Sequence, residues 1–339
     1  MAIKISNSNL LRESLILSLI SKKVIHVDIS ILTEYEKILI DLIIKISNGS
    51  EVIIGNDSIL TFRPGIIIGG SFEFHCGSYT DLSYYTEILI PLSFYSKKNL
   101  EISLFGKTCS NNPGVESLEN SLIPLLNKNF ESSLSITVVK SGFDNSGNVV
   151  FKSFSPKIRP FVCELYGKIT KIEGKCINLG LSPQMNSRSI LMARNILSKV
   201  SSTVYIRSET NKSKNEKGLA LKLYAYSKRN CMFGTGVLLT PKTSVEDFVE
   251  NACNSLMKDI IKVKTIYQRI SWILFTLMAF NDDKKSEIIF LKSDSQVDEY
   301  ISLIELFSSV SFSVEKKIDR IYSITCIGNG FINLNKNLE

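Results

Sequence analysis

Histidine is nearly absent from this chain: His26 and His75 are the only two in 339 residues. The seven cysteines, at 76, 109, 163, 176, 231, 253 and 326, include no CxxC pair. These scarcities leave no Cys/His metal site with adequate ligand spacing, and an odd, scattered cysteine count argues against a full disulfide framework. Reduced thiols of a cytosolic or nuclear protein fit better. Long apolar runs are missing as well. "LLRESLILSLISKK" (10–23) carries Arg12 and Glu13 inside it and no small-residue cleavage site follows, so it reads as an amphipathic helix rather than a secretion signal. "ISWILFTLMAF" (270–280) falls well short of the roughly 20 residues a membrane-spanning helix needs, and reads as a buried helix. No membrane association is expected. There is also no basic run of about five or more residues of the kind that marks a nuclear-localisation signal.

What is present describes a folded chain. Hydrophobic residues make up 44% and charged residues 22%, which excludes global disorder. The length allows about two domains. Lys and Arg outnumber Asp and Glu by 40 to 33, for a net charge of +7. So mild an excess fits a solvated surface as readily as an RNA partner.

One pattern occurs three times. "SEVIIGNDSILTFRPGIIIGGSFEF" (50–74), "SSLSITVVKSGFDNSGNVVFKSF" (132–154) and "SSVSFSVEKKIDRIYSITCIGNGF" (308–331) each read as a strand, a polar turn and a second strand. Before each lies a run with apolar residues at helical spacing: 34–46, 117–129 and 296–307. The expected fold class is α/β (α+β), with three repeated helix-over-β-sheet units. The third hairpin starts later than the first interval predicts, by about the length of a small domain. An inserted small α+β domain is therefore expected at 181–262, leaving 1–180 and 263–339 as the large domain. Within the insert the order reads α-β-β-β-α, starting with the helical run 183–200.

"FRPGIIIGG" (62–70) admits two readings. Arg63 and Gly65 could contact a phosphate; alternatively Pro64 sets a strand's start and the glycines shape the turn of the first hairpin. The second is preferred, because every repeat needs a hairpin there.

In order and spacing, "FRPGIIIGG", "SNSNLLRESLILSLISKK" (6–23), "YYTEILIPLSFYSKK" (84–98), "FGKTCSNNPGVESL" (105–118), "SPQMNSRSILMARNIL" (182–197) and "CIGNGFIN" (326–333) resemble the RNA 3′-terminal phosphate cyclase family, and more closely its cyclase-like nucleolar branch. The resemblance runs from about residue 6 to 333 and implies three α/β units with a small domain inserted in the third. The family's enzymes activate an RNA 3′-phosphate with ATP through a nucleotidyl-histidine in the last repeat. Here Ser295 falls at the expected histidine position in "FLKSDSQVDEY" (290–300), and serine cannot form that adduct. Further departures agree: "SNSNLL" lacks the family's glycines and keeps Arg12, "ISILTEYEK" (29–37) is acidic, Glu87 replaces a glutamine, and "DNSGNVV" keeps only Gly147.

The resemblance therefore implies no catalytic residue, no cofactor and no metal. It implies instead an assembly factor of the small-subunit processome in the nucleolus of the nucleus. Such a factor supports 18S pre-rRNA processing by binding a nucleolar GTPase, the U3-containing pre-ribosomal particle and pre-rRNA. A pre-rRNA endonuclease is the alternative, and a residual cyclase is less favoured. Asp298, Glu299 and Glu305 could serve as nuclease metal ligands, but a solvated acidic helix face is the preferred reading. His26 and His75 are expected as packed or hydrogen-bonded strand residues of the first repeat. Candidate anion or RNA contacts are Arg12, Arg63 and Lys107, and in the insert Arg188, Arg194, Arg207, Lys228 and Arg229, with Tyr205, Tyr224 and Tyr226 interleaved.

Overall fold

The computed structural model describes residues 2–55, 58–164, 168–211, 216–228, 232–262, 271–291, 296–318 and 321–331. The first unit runs β1 (Ile3–Ile5), α1 (Leu11–Ser21), β2 (Ile25–Asp28), α2 (Glu34–Ile46), a short β3 (Ser47–Asn48), β4 (Glu51–Ile54), β5 (Ile59–Arg63) and a short β6 (Ile66–Ile67). The second has β7 (Gly70–His75), α3 (Ser83–Tyr95), β8 (Leu100–Gly106), α4 (Val115–Ser117), α5 (Ile123–Asn129), β9 (Glu131–Lys140) and β10 (Gly147–Lys157). The third opens with β11 (Val162–Glu164) and closes with α8 (Ser271–Ala279), β16 (Lys285–Leu291), α9 (Gln296–Ser308), β17 (Phe312–Ile318) and β18 (Ile321–Ile327).

The three units share one topology. Their sheets run β1-β2-β5-β4, β7-β8-β10-β9 and β11-β16-β18-β17. In each, the first two strands are parallel and the remaining pairings antiparallel. A parallel pair needs a crossover helix, and α1, α3 and α8 supply it. Those three helices are apolar on nearly every side and are buried around their circumference. The second helix of each unit is amphipathic instead. In α2 the apolar Leu39, Ile40, Leu42, Ile43 and Ile46 face inward, and Thr33 and Glu36 close its start as a capping box.

Between β11 and α8 stands the insert: β12 (Ile169–Leu179), α6 (Pro183–Leu197), β13 (Val204–Asn211), β14 (Gly218–Ser227), β15 (Met232–Leu238) and α7 (Val245–Lys262). Its sheet runs β13-β12-β14-β15, with α6 and α7 packed against it and against each other. The order is thus β-α-β-β-β-α rather than the expected α-β-β-β-α. β12, upstream of residue 181, is central in the insert's sheet, pairing parallel with β13 and antiparallel with β14.

The first repeat also needs a correction. Its hairpin is β4–β5 alone, ending at Arg63. "PGIIIGG" is the crossing between units rather than a hairpin turn: β6 pairs back onto β3, and β7 joins the second sheet beside β8. Gly69 and Gly70, at φ +79° and +115°, make that crossing in a conformation L side chains avoid. His75, at the end of β7, therefore belongs to the second unit. Local alternation cannot reveal which sheet a strand joins.

Candidate functional site

Where the crossover helices meet, a buried charge cluster is built from the first two units. Arg12 sits in the first turn of α1 with only 6% of its surface exposed. Its Nη1 donates to Glu87 Oε2 of α3 at 2.6 Å, and its Nε and Nη2 donate to Glu13 Oε1 at 3.1 and 2.6 Å. The guanidinium also lies 4.8 Å from the Tyr84 ring centre and 5.5 Å from that of Trp272 on α8, so all three units touch it. Burial opposes its charge, but Glu13 and then Glu87 outweigh that and raise the Arg12 pKa. Placed in the sequence as an anion contact, Arg12 instead has both its neighbouring carboxylates inside the protein.

A second buried cluster joins the insert to the second unit. Lys222 of β14 is fully buried, and its Nζ donates to Glu116 Oε2 at 2.7 Å and to the Thr108 carbonyl at 2.8 Å. Burial opposes the ammonium charge, but Glu116, with smaller help from Cys109 and Asp81, raises its pKa. Tyr224, also on β14, donates its hydroxyl to the Pro113 carbonyl at 2.9 Å. Asn111 Oδ1 accepts the Leu238 amide at 2.8 Å, while Glu216 Oε2 takes the Phe143 amide and the Ser146 hydroxyl at 3.0 and 2.8 Å. The stretch "GKTCSNNPGVES" is thus the seat of the insert. A Cβ at Gly236 would stand 1.9 Å from the Asn112 oxygen, so backbone meets backbone there. Sequence reasoning missed this seat, because a buried lysine and an exposed one look alike in a chain of letters.

A family model described as RNA 3′-terminal phosphate cyclase matches residues 3–314. The chain belongs to the RNA 3′-terminal phosphate cyclase family. It is 28% identical to the Homo sapiens "RNA 3′-terminal phosphate cyclase-like protein", covering 98% of this chain and 96% of that one. A Schizosaccharomyces pombe chain named "rRNA processing protein rcl1" is 22% identical over 90% of this chain and 88% of its own. The Saccharomyces cerevisiae "rRNA processing protein RCL1" is 28% identical over 58% of this chain and 56% of its own.

The remaining residues singled out for this cyclase-family chain scatter. Arg63 is exposed and pairs with Glu51 at 3.3 Å, and Lys107 is half-buried just past β8, where it forms an isolated bridge with Asp81. In the insert the cations divide between two sides of the sheet. Arg188 and Arg194 lie on α6, where Arg188 pairs with Glu246 and Arg194 donates to the Ile206 carbonyl. Arg207 lies over Tyr205 at 5.6 Å on the opposite face, the one that also carries Tyr226 and the seated Lys222 and Tyr224. Tyr224 is therefore spent on the seat rather than open for stacking. Lys228 is exposed. Ser295 and Arg229 lie outside the described residues.

Histidines and carboxylates have local partners. His26 Nδ1 is 2.8 Å from Thr61 Oγ1, and His75 stacks on Phe105 with centres 5.0 Å apart. Glu299 accepts from Asn7 at 3.3 Å and Glu305 takes the Phe312 amide at 2.8 Å, while Asp298 is exposed. Among the described residues no group of three His, Cys, Asp or Glu side chains is placed to hold a metal.

Proposed function

We propose that this chain is a non-catalytic factor in ribosomal RNA processing. It would act in the nucleolus within the small-subunit processome, supporting 18S maturation by holding a nucleolar GTPase, the U3-containing particle and pre-rRNA together. The observation that carries this reading is the near-full-length likeness to cyclase-like and rRNA-processing proteins in a chain with no histidine after residue 75. Nucleotidyl transfer by the family's route needs an imidazole that is neutral near pH 7, attacks phosphorus and then leaves. No residue of the last unit supplies one. The Arg12 cluster supports the same reading, since three of the guanidinium's five donors are already bonded to Glu13 and Glu87.

Depletion of the protein in its own cells, followed by hybridisation to pre-rRNA, tests the reading. Uncut 18S precursors should accumulate, and an affinity-tagged copy should recover a GTPase and U3 RNA. Normal precursor levels after depletion would sink it.

A further inference from the structure

A basic groove on the outer face of the first sheet has no place in the clusters described above. It encloses about 440 Å³ and is lined by Lys22, Lys23, Val24, His26, Thr61 and Arg63. Strand alternation explains its position. Ile25, Val27, Leu60 and Phe62 are fully buried beneath the helices, so His26, Thr61 and Arg63 project from the opposite face. The helix–strand turn brings the other two cations: α1 ends at Lys22 in a left-handed conformation at φ 60°, which throws Lys22 and Lys23 toward that face.

The cations of the groove are poorly neutralised by the protein itself. Lys22 Nζ donates to the Gly65 carbonyl at 2.6 Å, and Lys23 Nζ lies 3.5 Å from the Leu306 carbonyl. A carbonyl dipole does not cancel an ammonium charge. Lys22 is exposed as a residue, yet the groove removes enough water from its ammonium to lower its pKa to about 8, with burial as the cause. Glu51, paired with Arg63 at 3.3 Å, is the one carboxylate engaged with these side chains among the described residues; both partners are well exposed, and such a pair yields readily to a stronger anion. No acidic side chain and no Phe, Tyr or Trp lines the groove. The lining is thus suited to phosphate rather than to stacked bases, with two point-charge ammoniums, one forked guanidinium and polar His26 and Thr61.

We propose that this groove binds the phosphodiester backbone of single-stranded RNA, without base preference. The choice of RNA over an acidic peptide rests on the rRNA-processing reading; the groove's anion chemistry does not.

The test is fluorescence anisotropy with labelled oligouridylate, across a potassium chloride series, on the full chain. Lys22→Glu/Lys23→Glu/Arg63→Glu should weaken binding on the order of tenfold or more. It should also flatten the slope of log K against log salt by about 2, since each single-strand phosphate contact contributes roughly 0.7. The milder triple Gln variant should fall between, and thermal melting checks that each variant is folded. A DNA oligonucleotide should bind the wild type comparably. Unchanged RNA binding by folded variants, or no binding by the wild type, overturns the groove. Binding of a polyglutamate peptide in preference to RNA overturns it too, and makes the face a protein contact. Depletion phenotypes do not bear on these outcomes: a failed groove leaves the processing reading standing, and normal pre-rRNA after depletion removes that reading whatever the groove binds.

Discussion

Arg12 holds its place by two carboxylates, one beside it in sequence and one 75 positions away. Taking a guanidinium out of water is costly, and only good partner geometry offsets that cost. Glu87→Ala should therefore destabilise the protein by about 3–5 kcal/mol in urea titrations, since it strands a buried charge. Glu87→Gln keeps a hydrogen-bond acceptor and should cost less, on the order of 1–3 kcal/mol. Neither variant should convert an RNA 3′-phosphate to the cyclic form with ATP, because the missing imidazole is not restored. Cyclic product from the Gln variant would show that the pair alone silenced an active site. The sequence singled out both residues, Arg12 as a retained cation and Glu87 as a departure. Their contact was not legible, because nothing local links α1 to α3.

At the scale of elements, the repeated units were legible and the joints between them were not. The runs 34–46 and 296–307 are α2 and, within one residue, α9, because apolar residues at spacings of three and four specify one buried face wherever the helix ends up. The joints depend on backbone meeting backbone: β7 leaves the first unit at Gly69–Gly70, and β12 enters the insert's sheet from outside the expected boundary. The insert's seat gives the prediction that belongs here. Lys222→Met should leave buried Glu116 with only the more distant Lys175 at 4.0 Å, cost on the order of 3 kcal/mol, and raise amide exchange across 169–238 more than elsewhere. Adding Glu116→Gln should recover part of the loss. Gly236→Ala should act in the same direction, because a Cβ cannot share space with the Asn112 oxygen. Uniform exchange in all three variants would mean that the insert is held by other contacts.

Among the described residues the molecule carries six buried free thiols, at 76, 109, 163, 176, 253 and 326, spread over the insert and the second and third units. Burial pushes Cys109 up to about 11 and Cys176, Cys253 and Cys326 up to about 12. A raised folded-state pKa means that the unfolded chain ionises first. The stability these thiols lend is complete below pH 9 and is lost as the pH climbs toward 11–12. Lys22, lowered to about 8, works in the opposite direction but is a single group at the surface. The urea midpoint should thus fall as the pH climbs from about 9 toward 11–12. At pH near 8, iodoacetamide should leave the six thiols unmodified until the protein unfolds, as peptide mass spectrometry can read. Rapid alkylation of several of them in the native protein would contradict the packing described.

By itself the sequence determined the fold class, the threefold repetition and the lack of any histidine after residue 75. Each of these depends on residue type and period, which are local. Only the tertiary structure decided which strand joins which sheet, that Arg12 faces Glu87, that Lys222 is buried at the insert's seat, and that Lys22, Lys23 and Arg63 line one groove. Those outcomes depend on distances between residues far apart in the chain, which register and crossover geometry set and which no local pattern encodes.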